Sequence, residues 1–352
     1  MGFVSTWTQL LGLRILLGTF EACLYPGAAF LISCWYPRRQ IATRLAVFYV
    51  VSQAFAGLSA VISYGISQLH GRRGHHGWQW IFIIYGIITV VVGVLGVLLV
   101  VDFPHKATFL TDKQRYIVEE RIRRDRNDSK PDEMTWPKFC RYIMDFKLWC
   151  FGYLFCASGF GSYALGYFMP QILQSIGFTN ALSQLLMAPP YVYMVIPAVV
   201  SAKIADRVPN MRAVTVIFNC CCTILGTALY TQLGANAKGA RYFGIFLAAG
   251  GVNSNVSLAI GWGQATIRAQ SKRGFASALI VAWGGIGGIL ASVTFIQKEA
   301  PTYSTGIYTI FAFTSFAIVI CVFLAFWLMY QNRRADRGEV VLEDDPNFRY
   351  QW

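Results

Sequence analysis

The stretch Leu11 to Trp35, LGLRILLGTFEACLYPGAAFLISCW, is apolar and long enough to cross a bilayer, yet it carries Arg14 and Glu21. About 20 apolar residues span a hydrocarbon core as a helix, so the stretch predicts a membrane span. Arg14 and Glu21 are two helical turns apart, which puts both side chains on one face. A charge at bilayer depth costs roughly 2.5 to 3.5 kcal/mol on insertion scales and normally faces a bundle interior or a water-filled cavity. The pair is therefore a candidate for function. The alternative is an ion pair that locks two helices together.

The rest of the chain is consistent with that reading. With 55% hydrophobic and only 13% charged residues, the composition is that of a polytopic membrane protein. Apolar runs occur near 11–35, 44–69, 80–101, 148–172, 183–205, 212–233, 240–262, 275–297 and 306–331, which predicts nine spans. The net charge of +13 comes from Lys and Arg gathered in loops, so it is a topology signal and not a sign of nucleic-acid binding. Alternate loops and the carboxyl terminus hold twenty-four Lys and Arg, against five in the opposite set, which predicts that the first set and the carboxyl terminus are cytoplasmic. The nine Cys show neither a disulfide framework nor a zinc spacing. No metal or cofactor is expected. His75 and His76 lie in a Gly-rich outer loop and read as a solvated turn.

Three spans precede a long polar segment and six follow it. That order fits a carrier of two six-helix halves with a three-helix repeat missing in front, so the spans are expected to be helices four to twelve of a twelve-helix plan. The expected organisation is an amino-terminal half at 1–101, a central loop at 102–147, a carboxyl-terminal six-helix half at 148–331 and a cytoplasmic tail at 332–352. A short internal match supports two related halves: RRQIATRL from Arg38 aligns with KRGFASAL from Lys272, each after a span and leading into a helix. In the central loop, Thr111-Asp112-Lys113-Gln114 has the form of a capping box, and Thr135-Trp136-Pro137 starts a second helix. Phe139, Tyr142, Ile143 and Phe146 share one side of that helix while Lys138, Arg141 and Lys147 are expected to point away, as on an interfacial helix that bridges the halves.

Several motifs together resemble one family. Arg14-x-x-x-Gly18-x-x-Glu21-Ala22, Pro26-Gly27 and Cys34-Trp35-Tyr36-Pro37-Arg38-Arg39 resemble the fourth helix and following loop of the major facilitator superfamily, in its anion:cation symporter branch. Tyr167 to Ile172, Ile176-Gly177-Phe178, Ala188-Pro189-Pro190-Tyr191, Ala205-Asp206-Arg207, Lys272-Arg273, Gly284 to Gly288 and Ala300-Pro301-x-Tyr303-x-x-Gly306 look like the fungal allantoate permease group, which includes nicotinate and other vitamin carriers. The resemblance implies an all-α helical bundle and places the Arg14–Glu21 helix on a central cavity.

The residues have physical readings of their own. Glu21 is the one acidic residue well inside a predicted span, and a carboxylate beside a cation can link proton binding to alternating water access. The fork of Arg14 suits bidentate recognition of a carboxylate. Tyr49 and Gln53, Tyr163 and Tyr167, Asn253 with Asn255, and Trp283 lie on other spans and are candidates to bond or stack with a small anion. Ordinary interhelical bonding is their alternative role. Asp206, Arg207 and Arg212 sit in a turn where charge pairs and helix ends can latch one state of a rocking cycle; a turn anchored by positive charge is the alternative. Gly284, Gly285, Gly287 and Gly288 offer a thin helix surface for a close neighbour, and Pro170 and Pro189-Pro190 predict kinks.

The expected function is a monomeric secondary carrier of the plasma membrane, moving a small organic anion or vitamin inward with a proton. A chain that transports nothing is the alternative, because half of the amino-terminal cavity wall would be absent. An integral-membrane enzyme is less favoured: of four His none lies well inside a span, and no catalytic constellation is seen.

Overall fold

The computed structural model describes residues 1–104, 107, 109–126, 133–234, 237–296, 299 and 303–352. Among the described residues nine helical stretches are long and apolar enough to cross a membrane, and they overlap the nine predicted spans in order. Among the described residues the secondary structure is helical apart from one isolated bridge, Leu342 to Asp345. Lys106, residues 127–132, Lys298 and the Ala300-Pro301 pair lie outside the described residues.

The first span is two helices, α1 (Trp7–Glu21) and α2 (Leu24–Trp35). Proline has no N–H and its ring collides with the carbonyl four residues back. Pro26 therefore cannot bond to Ala22, and the chain breaks at Ala22–Cys23, directly after Glu21. The same chemistry divides the fifth span into α8 (Asn180–Leu185), α9 (Ala188–Tyr193) and α10 (Val195–Arg207), with breaks just ahead of Pro189-Pro190 and Pro197. Pro170, by contrast, lies inside a helix that continues past it.

The remaining spans are α3 (Ile41–Ser67) and α4 (Gly77–Leu99) before the central segment, then α7 (Phe146–Ser175), α11 (Arg212–Gln232), α12 (Lys238–Ala265), α13 (Gln270–Thr294) and α14 (Ser304–Asp336) after it. α12 is buried on nearly every side from Gly244 to Ala265 because its residues are small enough for neighbours to come close. A Cβ at Gly244 would stand 2.7 Å from the Gly226 carbonyl oxygen of α11. On α13, Gly284, Gly287 and Gly288 take Phe155, the Cys156 carbonyl and the Tyr163 ring, as a thin surface should, whereas Gly285 faces open space. In contrast, α1 buries no residue and α4 only Gly77; their exposed Leu, Ile and Val suit contact with acyl chains or other apolar helices.

The central segment forms α5 (Asp112–Arg126) and α6 (Trp136–Ile143). The predicted capping box is present: Thr111 N–H donates to Gln114 Oε1 at 3.1 Å, and Gln114 N–H to Thr111 Oγ1 at 3.4 Å. Two details of α6 differ from expectation. It packs on α13, through Phe139 on Phe275 and a Tyr142–Ser271 hydroxyl bond at 3.0 Å. Lys147 does not point away: α6 ends at Ile143, Asp145 caps α7, and Lys147 is buried in the first turn of α7.

We call the tail end the end of the bundle that holds the last turns of α2, α10, α12 and α14 and the first turns of α3, α7, α11 and α13. Residues after α14 fold back on it, with Leu342, Phe348 and Tyr350 buried in the main hydrophobic cluster.

Candidate functional site

Near the middle of α7 and α12 a buried polar cluster joins these two helices to α3. The Tyr49 hydroxyl of α3 donates to Asn253 Oδ1 at 2.8 Å, and Ser162 Oγ of α7 donates to the same oxygen at 2.9 Å. Tyr49 and Ser162 hydroxyls are 3.3 Å apart, and Asn253 Nδ2 is used by the Ala249 carbonyl at 2.9 Å. Gln53, one turn along α3, is half-buried beside the Tyr49 phenol. The Tyr25 ring of α2 meets Tyr49 edge-on at 6.3 Å, and its buried hydroxyl has no hydrogen-bond partner among the described residues. An unmet buried hydroxyl is costly, so this one is ready to accept or donate to a ligand or water.

Around this cluster the other expected site residues are spread. Glu21 is exposed on α1, with its carboxylate within Coulombic range of the Tyr163 phenol. Tyr163 and Tyr167 stack obliquely at 5.8 Å and are about half exposed, with the Tyr163 phenol within Coulombic range of Tyr49. Arg14 is exposed, and its guanidinium lies 5.4 Å from the centre of the Phe82 ring of α4. Among the described residues no ion pair joins Arg14 to Glu21. Trp283 is placed elsewhere, its ring against Gly152 and edge-on to Trp149 at 5.9 Å. Asn255 faces α11, where it accepts from Asn219 at 3.1 Å and donates to the Val216 carbonyl at 3.2 Å.

The charged turn between α10 and α11 does more than close a turn. Asp206 Oδ2 accepts the Thr43 N–H at 2.7 Å, in the first turn of α3. A carboxylate there meets the positive end of a helix dipole. Its other oxygen lies 3.7 Å from Arg212, with both side chains 2% exposed. Arg207 is exposed. Asp206 is thus paired with Arg212 at the α10–α11 turn and bonded to α3 through Thr43, whereas Arg207 is exposed.

Two members of the midpoint cluster escaped the sequence reading. Tyr25 is one turn beyond Glu21 in the opening stretch, and Ser162 is the neighbour of Tyr163. Both carried a usable signal as polar groups within apolar runs.

Residues 1–292 match the family model described as Major Facilitator Superfamily. The chain belongs to that superfamily. Its fungal relatives include the MFS-type transporter cnsO of Penicillium expansum, 29% identical over 95% of this chain and 66% of that protein. The high-affinity nicotinic acid transporter of Saccharomyces cerevisiae is 27% identical over 99% of this chain and 67% of its own length. The chain thus spans about two thirds of the length of these superfamily members. Among solved structures, that of the proton:xylose symporter XylE bound to 6-bromo-6-deoxy-D-glucose superposes with a TM-score of 0.54 at 14% identity, covering 84% of this chain and 66% of that one. It shows the shared superfamily fold. These relatives are named as transporters.

Proposed function

We propose that this chain forms the transport body of a secondary carrier that brings a small organic anion into the cell with a proton, by alternating access. The observation that carries the reading is the Tyr49–Ser162–Asn253 triad, which bonds one half to the other at mid-bundle beside the unmet Tyr25 hydroxyl. Groups buried between rocking halves must exchange partners as the halves separate, and a solute can supply them. Glu21 supplies a carboxylate for the proton and Arg14 a fork for an anion. Nicotinate is the first solute to test, because a nicotinic acid transporter is among the relatives; allantoate and pantothenate follow.

In this reading residues 1–101 and 148–331 are the two moving bodies, 102–147 is a cytoplasmic connection, and the tail lies in the cytoplasm. The carrier acts as a monomer in the plasma membrane. Asp206 with Arg212 latches the tail end while it is closed. The test is uptake of labelled nicotinate, allantoate and pantothenate in cells carrying this chain, the Glu21→Gln variant or an empty vector. Uptake above vector that rises with external acidity and is lost on substitution is the expected result. No uptake of any of the three by properly inserted protein removes the organic-anion reading.

A further inference from the structure

The tail is seated where it can govern access to the midpoint cluster. Glu343, with a side chain 7% exposed, is its centre. Glu343 Oε1 accepts from Lys147 Nζ of α7 at 2.9 Å and from Lys272 Nζ of α13 at 2.8 Å. Lys272 also pairs with Asp145 at 2.8 Å, and Lys147 donates to the Tyr350 hydroxyl at 3.0 Å. Arg268, in the turn between α12 and α13, donates to the Asp344 carbonyl at 2.9 Å and lies 3.6 Å from the Asp345 carboxylate. Trp262 of α12 donates to the Gln351 carbonyl at 2.8 Å, and Asn332 of α14 pairs with both main-chain groups of Tyr350 at 2.8 and 2.9 Å. One short peptide thereby ties four helix ends.

Its backbone is strained where it does so. Glu343 and Asp344 stand in succession at φ of 46° and 58°. A side chain disfavours the left-handed region, and such residues persist where surrounding contacts over-determine them, most often at functional devices.

The helix ends so tied are those that close the tail end against the first half. Gln270 Nε2 of α13 contacts Cys34 Sγ of α2 at 3.8 Å, Gly274 faces Phe30, and Gly261 of α12 lies against Ala42 of α3. On its other side the tail borders a cavity of about 600 Å³ walled by Lys138, Arg141 and Met144. Glu343 therefore has room to leave without unpacking a helix.

We propose that residues 339–352 act as a gate strap. Docked, the strap holds the ends of α12 and α13 against α2 and α3 and keeps the midpoint cluster closed from the tail end. Released, it lets the first turns of α13 move off α2. This concerns access and is independent of which solute is carried.

The test uses the full chain in lipid nanodiscs, a Glu343→Gln variant and a chain stopped after Gly338. Peptide-resolved hydrogen exchange and the rate of N-ethylmaleimide addition to Cys34 are measured. Expected are an increase in Cys34 labelling of about tenfold and faster exchange at 270–276, with the middle of α12 unchanged and Glu343→Asp close to the parent. The proposal is overturned if the tail amides lose protection while Cys34 and 270–276 stay as they were in both variants. It is equally overturned if exchange rises evenly through all spans, which would make the tail a general stabiliser. Should the stopped chain fail to accumulate, Glu343→Gln, which keeps length and shape, decides alone.

Discussion

Asp206 serves a helix end with one oxygen and a buried guanidinium with the other, so the cost of changing it depends on which duty is removed. Asparagine keeps an acceptor for the Thr43 N–H but removes the Asp206 charge that faces buried Arg212. Removing one member of a buried pair costs about 3–5 kcal/mol, whereas substitutions at an exposed charge stay within about 0.5 kcal/mol. Asp206→Asn and Arg212→Gln are thus expected to lower the thermal midpoint in detergent sharply, and Arg207→Gln to leave it unchanged. Equal loss from all three would mean that the turn acts only through its positive charge. The sequence marked Asp206, Arg207 and Arg212 together because a turn shows which charges are near one another along the chain. It does not show which of them faces the other half.

The midpoint cluster makes a second prediction at the same scale. Ser162→Ala removes one donor from Asn253 Oδ1 while the Tyr49 bond at 2.8 Å remains. A net hydrogen bond between membrane helices is worth about 0.6 to 1.5 kcal/mol. Folding is therefore expected to survive, and nicotinate uptake to fall by about three- to tenfold, with the loss in apparent affinity if the hydroxyl meets the solute. An unchanged uptake rate and affinity would restrict the triad to interhelical bonding. Tyr49 and Asn253 could be picked from the sequence as polar groups in apolar runs. Their convergence on one oxygen depends on the approach of α3, α7 and α12.

At the scale of elements, the spans were legible because hydropathy over twenty residues needs no tertiary information. Pro189-Pro190 announced the broken fifth span, and Thr111 with Gln114 announced the start of α5. The break after Glu21 was overlooked although Pro26 carried it, since a long apolar run was allowed to outweigh one ring four residues downstream. The docking of the tail had no local signal at all: the partners of Glu343 are 196 and 71 residues away in Lys147 and Lys272.

That docking has a pH signature. Burial alone would raise the Glu343 pKa, but Lys147 and Lys272 outweigh it and hold the carboxyl down to about 2. A folded-state pKa below the ordinary carboxylate value means stabilisation that is complete above about pH 5 and is lost as pH falls toward 2, on the order of 3 kcal/mol in all. The parent should therefore exceed Glu343→Gln in thermal midpoint at pH 7, with the gap closing between about pH 5 and 2 as Glu343 becomes a neutral isostere. A gap that stays constant with pH would assign the difference to shape and not to charge.

For the whole molecule, the same end of the bundle collects the basic loops and the folded tail, and this bears on how the chain sits in a membrane. Several of its cations are spoken for: Lys147 and Lys272 by Glu343, Arg212 by Asp206, Arg268 by Asp345. Orientation is nevertheless set by Lys and Arg near the span ends during insertion, before such pairs form, and acidic residues count little. In the sequence, the opposite set of loops carries five, Arg72, Arg73, Lys238, Arg241 and Lys298. The tail end is therefore expected in the cytoplasm. With one epitope after Trp352 and another inserted after Gly74, antibody should stain the Gly74 epitope on intact cells and the Trp352 epitope only after permeabilisation. The reverse pattern would put the strap and the Asp206 latch on the outer face and overturn the cytoplasmic placement of the tail.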